Sequence, residues 1–432
     1  MPVPQTITNI LRANMEKVSE VLPEIYEKEN NTLYGDITKA AKDFKIASTV
    51  NGTDFRQPIR VRPAGTFGGF TPGGGSMGVG HGSDIQQFAQ TYFPLRMAFG
   101  MNMDVNWNTD GNPQSIVSEF STTMKDAVPN FQSYADKSFH NITGNQGLCA
   151  LGTGFAIGPP AVFTFDPEYG ANLLQVGMDV EIFDNALAVH RTAAVTPDNL
   201  PRIASIDYDA GTAVLENLGA IVPAATDYLA FPGVTAVPTW LNGLEYFMST
   251  ATTGLLLGLN RATYPQINPS AVNVAGPIVP QAGWVLKARL RQKRGTVPKL
   301  TGYCHIAQAA AIANLTVAVT MFDRAGSDKK ILDIMPDIDR PFEYCGVTHK
   351  IDMHASKQRI YWLDKSKWQR VYAKDLGFLE EPSSGRKVFM KRASTGQLVH
   401  GVEFFLTTAE NFAVSDPGSQ GLLYGLTIPV DF

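Results

Sequence analysis

The chain has 432 residues, which at roughly 150 residues per domain allows about three domains or a single elaborated one. Lys plus Arg number 36 against 40 Asp plus Glu, a net charge of −4, which excludes a surface built throughout to neutralise nucleic acid or anionic lipid. Charged residues are 18% of the total, below the roughly 25% of an average soluble domain, so much of the surface is neutral or hidden in interfaces. Abundant Gly (39) and Pro (27) point to many turns rather than a helical bundle. Three cysteines, Cys149, Cys304 and Cys345, are too few and too odd a set for a disulfide framework. Met1 to Asn9 has neither the basic nor the apolar region of a secretory signal. Tyr303 to Phe322 lacks formal charge, but its His305, Gln308, Asn314, Thr316 and Thr320 suit a buried helix of a soluble, cytosol-made protein better than a membrane span.

Ile7, Ile10, Leu11, Met15, Val18, Leu22 and Ile25 recur at spacings of three and four, with Glu16, Lys17, Glu20, Glu24 and Glu27 largely opposite. This predicts an amphipathic N-terminal helix, bent or divided at Pro23, that covers either its own domain or a neighbouring subunit. Residues 51–84 follow a different rule. Arg60 and Arg62 share one face of a short strand and Ile59 and Val61 the other; nine of the eighteen residues from Gly65 to Gly82 are glycine. Alternation resumes at Phe88, Tyr92 and Leu95. The expected structure is a long hairpin with a glycine-rich tip, projecting from the body. A lone two-stranded ribbon is marginal in water, so it needs a surface to lie on.

Asn112 and Pro113 form a helix-start signature. Behind them Ile116, Phe120, Met124, Ala127, Val128, Phe131, Ala135 and Phe139 keep one apolar stripe, predicting a helix on the order of 40 Å long, kinked near Pro129. From 170 to 235 the period changes to two. Met178, Val180 and Ile182 alternate with Asp179, Glu181 and Phe183, and strands follow at Ile203–Tyr208, Thr212–Glu216 and Asp227–Phe231, predicting a compact β module. Helices are expected at 280–294 and 304–321, then mostly strands from Phe342 to Pro429, with turns at Ser383–Gly385 and Pro417-Gly418.

Catalytic signatures fail one by one. Gly74-Gly75-Ser76-Met77-Gly78 matches G-x-S-x-G, but Pro72 and glycines precede it and Val79-Gly80-His81-Gly82 cannot start a helix, as a nucleophile elbow requires. Gly152, Gly154 and Gly158 have the wrong spacing and an upstream helix where a dinucleotide loop needs a strand. No Gly-Lys pair exists, which excludes a P-loop. Cys304, His305, Cys345, His349 and His354 lack a diagnostic zinc spacing and read as buried thiols and partly exposed histidines. Asp337, Asp339, Asp352 and Asp364 read as a solvated rim. Lys287, Arg289, Arg291, Lys293 and Arg294 put five positive charges in eight residues of a helix. They make either a weak nucleic-acid face, a solvated helix face or partners for acids of another subunit; without interleaved aromatics they define no groove. No catalytic residue, cofactor or metal ligand is expected, and so no enzyme.

The ordered set of elements resembles the major capsid protein of tailed bacteriophages, whose Hong Kong phage-type capsid fold is shared with encapsulins. The most specific stretch is Leu241-Asn242-Gly243-Leu244 followed by Gly254, Gly258, Arg261 and Pro265; the Gly177-Met178-Asp179-Val180 strand start and the closing Gly425–Pro429 strand add to it. The resemblance implies an α+β fold with an N-terminal arm at 1–50, an extended loop at 51–84 and a peripheral domain at 85–169 carrying a spine helix at 112–140. It further implies an inserted β module at 170–235, an axial domain at 236–385 and peripheral C-terminal strands at 386–432. It implies self-assembly as hexamers and pentamers into an icosahedral shell enclosing double-stranded DNA without sequence-specific binding. A separate scaffolding protein and a portal protein would be partners, a decoration protein being left open, in a virion assembled in the host cytoplasm. Arg56, Arg60 and Arg62 are the inter-subunit contact candidates, with Glu119 and Asp126 of a neighbour's spine opposite them. Some relatives crosslink through a lysine of the extended loop; residues 51–84 contain none, which implies a non-covalent shell. The alternatives are an encapsulin-like compartment shell, a β-rich hydrolase or another virion protein.

Overall fold

A computed structural model describes residues 32–45, 54–65, 80–102, 127–141, 147–152, 161–184, 189–192, 200–208, 210–218, 221, 223–233, 241–323, 341–380, 387, 389–392 and 398–429. The predicted N-terminal helix over Ile7–Ile25, the glycine-rich tip at 66–79, the first half of the predicted spine helix, Glu119 and Asp126 lie outside these residues. So do Asp337, Asp339 and the turn at Ser383–Gly385.

The first elements are helix α1 (Thr32–Ala40) and strands β1 (Lys42–Lys45), β2 (Asp54–Arg62), β3 (Asp84–Thr91) and β4 (Phe93–Asn102). Helix α2 (127–139) follows. Next come β5 (Gly147–Ala150), β6 (Ala161–Thr164), β7 (Glu181–Phe183), β8 (Arg202–Asp207), β9 (Thr212–Glu216) and β10 (Tyr228–Ala230). Then the chain forms α3 (Leu244–Met248), β11 (Leu255–Leu256), β12 (Leu259–Asn260), β13 (Ser270–Gly276), α4 (Pro280–Arg294), β14 (Thr301–Cys304) and α5 (Ile306–Asp323). It ends with β15 (Phe342–Tyr344), β16 (Val347–Ile351), β17 (Ile360–Leu363), β18 (Trp368–Phe378), β19 (Phe389–Arg392), β20 (Leu398–Val414) and β21 (Gly421–Leu426).

Three hydrophobic clusters organise these elements. The first gathers around β20, whose alternation buries Phe404, Leu406, Thr408, Glu410 and Phe412 on one face. One edge of β20 pairs antiparallel with β4; the other takes β18 and β19 in succession, and β1 adds parallel to β18. Helix α2 lays Phe131, Ala135 and Phe139 on this sheet, the Phe139 ring centroid 5.6 Å from that of Trp368 and 5.2 Å from that of Phe412. The described half of the apolar stripe is therefore a true core face, except that Val128 is exposed. Burial of each such large side chain contributes about 1.5–3 kcal/mol. Helix α1 adds Leu33 and Ile37, one turn apart, and its Tyr34 hydroxyl donates to Glu410 Oε1 at 2.5 Å.

The second cluster is the β module, two three-stranded sheets ordered β5-β10-β7 and β6-β9-β8 around Leu148, Phe163, Leu173, Ile182 and Leu229. Its pairing begins at Gly147 rather than at 170: β5 bonds to β10 and β6 to β9. The predicted alternation over 178–183 is also incomplete, because Glu181 and Phe183 are buried along with Met178, Val180 and Ile182. The strand is covered on both faces, so period two is lost.

The third cluster lies on a six-stranded mixed sheet, order β13-β21-β17-β14-β16-β15, with α4 and α5 packed on it. Helix α4 spans the predicted 280–294: Pro280 occupies the first turn, and Gly295 ends it at φ 76°, its N–H bonding Arg291 O at 2.7 Å. A boundary at 386 between axial and peripheral parts cuts across the pairing. Strand β18 joins β20, while β21 returns to lie between β13 and β17. Between β17 and β21 the chain passes from the mixed sheet to the β20 sheet and back, after Leu363 and after Val414.

Candidate assembly surfaces and the junction that positions them

Strands β2 and β3 pair antiparallel from Asp54↔Thr91 to Arg62↔Asp84, with one register shift between Arg60 and Arg62. Period two places Arg56, Pro58, Arg60 and Arg62 outward and leaves Phe55, Gln57, Ile59 and Val61 half-buried. The three candidate arginines thus share an exposed face. Arg62 faces Asp84 across the pair at 3.9 Å, an exposed contact of small energetic weight. Arg60 makes no ion pair among the described residues. Ile85 is also exposed (60%), the largest apolar side chain on the outer side of β3.

The inner face of the ribbon does not wait for another copy. Phe88 is buried in the first cluster and Ile59 and Val61 pack against it. The Ala89 N–H donates to Leu257 O at 3.1 Å, Gln266 Nε2 to Val61 O at 3.1 Å, and Asn242 Nδ2 to Gln90 Oε1 at 3.0 Å. The expectation of a projecting ribbon is corrected for its described part: alternation gives β2 and β3 an apolar side, and segment 241–268 of the same chain supplies the surface.

That segment contains the Leu241-Asn242-Gly243-Leu244 stretch, and each residue has a physical task. Leu241 and Leu244 are buried in the first cluster, and Asn242 bridges Gln90 to β20 by donating its backbone N–H to Asn411 Oδ1 at 2.9 Å. Gly243 sits where a Cβ would strike Phe139 O and lie 2.7 Å from Asn141 Nδ2, at the end of α2. Gly254 and Gly258 adopt φ of 90° and 84°, which glycine takes without cost. Buried Arg261 donates to Ser249 O at 3.0 Å, Ala251 O at 3.3 Å and Tyr246 O at 2.9 Å, closing the loop around one guanidinium.

Beside it the three clusters meet on polar groups. Glu245 of α3 accepts from the Tyr361 hydroxyl at 2.7 Å and pairs with Arg359, which also reaches Glu168 Oε1 at 2.7 Å. Burial raises the Glu245 carboxyl above its ordinary range, and the Arg359 charge pulls it back only in part. A second buried group joins α2 to the turn after β16. His140 Nε2 lies 3.0 Å from Asp352 Oδ2, and His354 Nδ1 lies 2.6 Å from Asp136 Oδ2. Sequence spacing missed both groups because their members are 114 and more than 200 residues apart. The one local signal is Asp136 and His140 at i and i+4 within an apolar stripe.

Several expectations change here. Asp352 and Asp364 are buried, not part of a solvated rim, and His305, His349 and His354 are buried rather than partly exposed. Each has partners that make this tolerable: Asp364 caps the turn at Ser366, and His349 accepts from Trp362 Nε1 at 2.8 Å. Burial pushes His305 and His349 down to about 4, so both are neutral. Cys304, His305, Cys345, His349 and His354 do not converge. Among the described residues the grouping with metal-ligand spacing is Asp136, His140 and Asp352. Cys149, Cys304 and Cys345 are free thiols.

The basic run on α4 is largely spent inside the chain. Lys287 donates to Cys345 O, Arg289 to Ala271 O, Lys293 to Asn268 O at 3.0 Å, and Arg294 pairs with Asp416. These contacts fasten α4 to the loops around the six-stranded sheet; Arg291 is exposed. The same helix exposes Trp284 (65%). Among the described residues no helix is long and apolar enough to cross a membrane.

The architecture is the α+β Hong Kong phage-type capsid fold, with a docked hairpin, a helix-backed sheet, a β module and a mixed sheet that meet at two buried polar groups. It is similar to that of the cyanophage A-1(L) capsid asymmetric unit, at a TM-score of 0.55 and 12% identity over 95% of this chain and 97% of that one. The capsid of the native GTA particle (TM-score 0.48, 10% identity, 95% of each chain) and Microbacterium phage Oxtober96 (0.47, 8%, 98% and 99%) also match, but the cyanophage match carries the fold assignment. No family model and no curated protein matches by sequence.

Proposed function

We propose that the chain is the major capsid protein of a tailed phage, a structural rather than catalytic subunit that assembles as hexamers and pentamers into an icosahedral shell around double-stranded DNA. The supporting observation is fold likeness to a phage capsid subunit along 95% of this chain and 97% of that chain. On this reading residues 1–50 are the N-terminal arm, the β2–β3 hairpin is the extended loop, α2 is the end of the spine helix, and the six-stranded sheet is the core of the axial domain. A separate scaffolding protein and a portal complete the particle, which assembles in the host cytoplasm. The near-neutral charge, with Lys287, Arg289 and Lys293 of α4 bonded to the chain's own carbonyls, suits containment of DNA rather than tight binding to it. A shell repeats one contact set many times, so individually weak contacts suffice. Expression of the full chain with its neighbouring genes, followed by negative-stain microscopy, should give closed particles. A compact monomer at high concentration, with and without those genes, overturns the reading.

The exposed arginine face supplies a sharper test. Arg56, Arg60 and Arg62 meet acids of a neighbour, with Glu119 and Asp126 as the candidates. The double substitution Arg60→Glu plus Arg62→Glu should leave subunit unfolding within about 0.5 kcal/mol of wild type, because both side chains are exposed. Particle yield by sedimentation should fall roughly tenfold or more, since every copy carries the repulsion. Normal assembly of the double variant would discard this pairing. The absence of lysine from 51–84 leads to a further expectation: mature particles boiled in detergent should run as one 46.9 kDa band, without a ladder of multiples.

A further inference from the structure

Asp136 on α2 and Asp352 in the turn after β16 are both fully buried. Each has one oxygen tied by a backbone N–H: Asp136 Oδ1 by Tyr34 at 2.7 Å, Asp352 Oδ1 by His354 at 2.9 Å. The other oxygen of each faces the same small space, with His140 Nε2 at 4.0 Å from Asp136 Oδ2 and 3.0 Å from Asp352 Oδ2. The donor atoms of the three residues all lie within 4.8 Å of one another. His354 Nδ1, 2.6 Å from Asp136 Oδ2, steadies that carboxylate from the side.

Inside this space compensation for the carboxylates rests on two imidazoles. Two carboxylates with no exposure need compensating positive charge, and the side chains that reach them are imidazoles; among the described residues no Lys or Arg pairs with either. His140 Nε2 is the nitrogen that faces both carboxylate oxygens, while the other ring nitrogen, Nδ1, is buried without a partner. The spacing fits a small cation. Bonds of about 2.0–2.2 Å in tetrahedral geometry put neighbouring donors roughly 3.3 Å apart, and the observed 3.0 and 4.0 Å straddle that distance. Carboxylates fixed by backbone N–H groups on their far oxygens are the outer support that metal ligands commonly have.

We propose that Asp136, His140 and Asp352 form a buried site for a divalent transition-metal ion of the zinc or manganese class, with His354 as a positioning residue. One imidazole nitrogen and two carboxylate oxygens suit those ions rather than thiolate-seeking ones. The ion would neutralise both carboxylates and tie α1, α2 and the mixed sheet at one point. This concerns the subunit alone and stands whether or not the chain builds a shell.

The test uses full-length protein stripped with chelator, desalted, then titrated with ZnCl2 and separately with MnCl2. Metal retained after a second desalting should reach about one ion per chain with at least one of the two, and the melting temperature should rise by several degrees on loading. Asp352→Asn keeps an oxygen for the His354 N–H but removes the charge; it should lose the ion and the thermal response while keeping the wild-type circular dichroism. Should that variant not fold, wild type loaded with Co2+ provides the readout, with visible d–d bands that Zn2+ abolishes. No retained ion from either titration, no cobalt bands, or equal retention by Asp352→Asn and wild type overturns the proposal.

Discussion

Gly243→Ala is expected to destabilise the subunit by about 3 kcal/mol or more, a large effect for one methyl group. A Cβ at this position meets the Phe139 carbonyl oxygen and the Asn141 amide, 2.7 Å from its nitrogen. The first of these is backbone at the end of α2, so no rotamer change relieves it. Either α2 or the 241–244 segment must shift, and both are anchored: Phe139 packs tilted against Trp368 and edge-on to Phe412, and Asn242 is bonded to Gln90 and Asn411. Gly276→Ala is the control, because nothing lies within 4 Å of its ideal Cβ; it should change stability by no more than about 0.5 kcal/mol. Denaturant unfolding of the unassembled subunit measures both. A loss below about 1 kcal/mol for Gly243→Ala would mean that the close approach of α2 to this segment is wrong.

Legibility from sequence followed the range of the interaction. Helix α4 was readable to its ends because Pro280 and Gly295 act within one turn, and the β2–β3 faces were readable because alternation is local. The Leu241–Pro265 stretch was legible as a pattern before its reasons were. Close backbone approach at Gly243, positive φ at Gly254 and Gly258, and the Arg261 clamp are all tertiary facts. The strand exchange between sheets was not legible, since nothing local in β18 or β21 says which partner it takes. Asp352 read as a rim residue and His354 as partly exposed because neither has a partner at a diagnostic spacing in its own segment; the groups they meet, His140 and Asp136, come from α2 and its C-terminal end. The docking of the ribbon was half legible: its apolar side was evident, but not that segment 241–268 of the same chain would cover it.

The polar junction links three separately cored parts beneath the hairpin that carries the exposed arginine face. Glu245 comes from the segment under the hairpin, Glu168 and Tyr169 from the β module, Arg359 and Tyr361 from the mixed sheet. Burial by itself depresses the Arg359 guanidinium, but Glu245 and the neighbouring groups override it and hold it charged. Arg359→Met should therefore strand Glu245 and cost about 3–5 kcal/mol near neutral pH, more than any exposed ion pair in the molecule.

The pH dependence of that variant fixes the cause. Glu245 is raised in the folded wild-type protein by burial, and Arg359 is its main counterweight, so removing the arginine raises it further. A carboxyl raised on folding favours the folded state below its unfolded value of about 4.3, and this contribution is lost as pH rises through the folded value. Arg359→Met should accordingly lose least stability at the acid end, as pH falls toward 5 and protonation of the raised Glu245 carboxyl becomes easier, and most near pH 8, where ionisation in a buried site is most strongly driven. Adding Glu245→Gln to Arg359→Met should recover a substantial part of the loss near pH 8 and flatten the difference between the two conditions, because the amide has no charge to bury. Equal destabilisation of the single variant at both pH values, by denaturant unfolding, would assign the loss to packing of the arginine stem rather than to the stranded carboxylate.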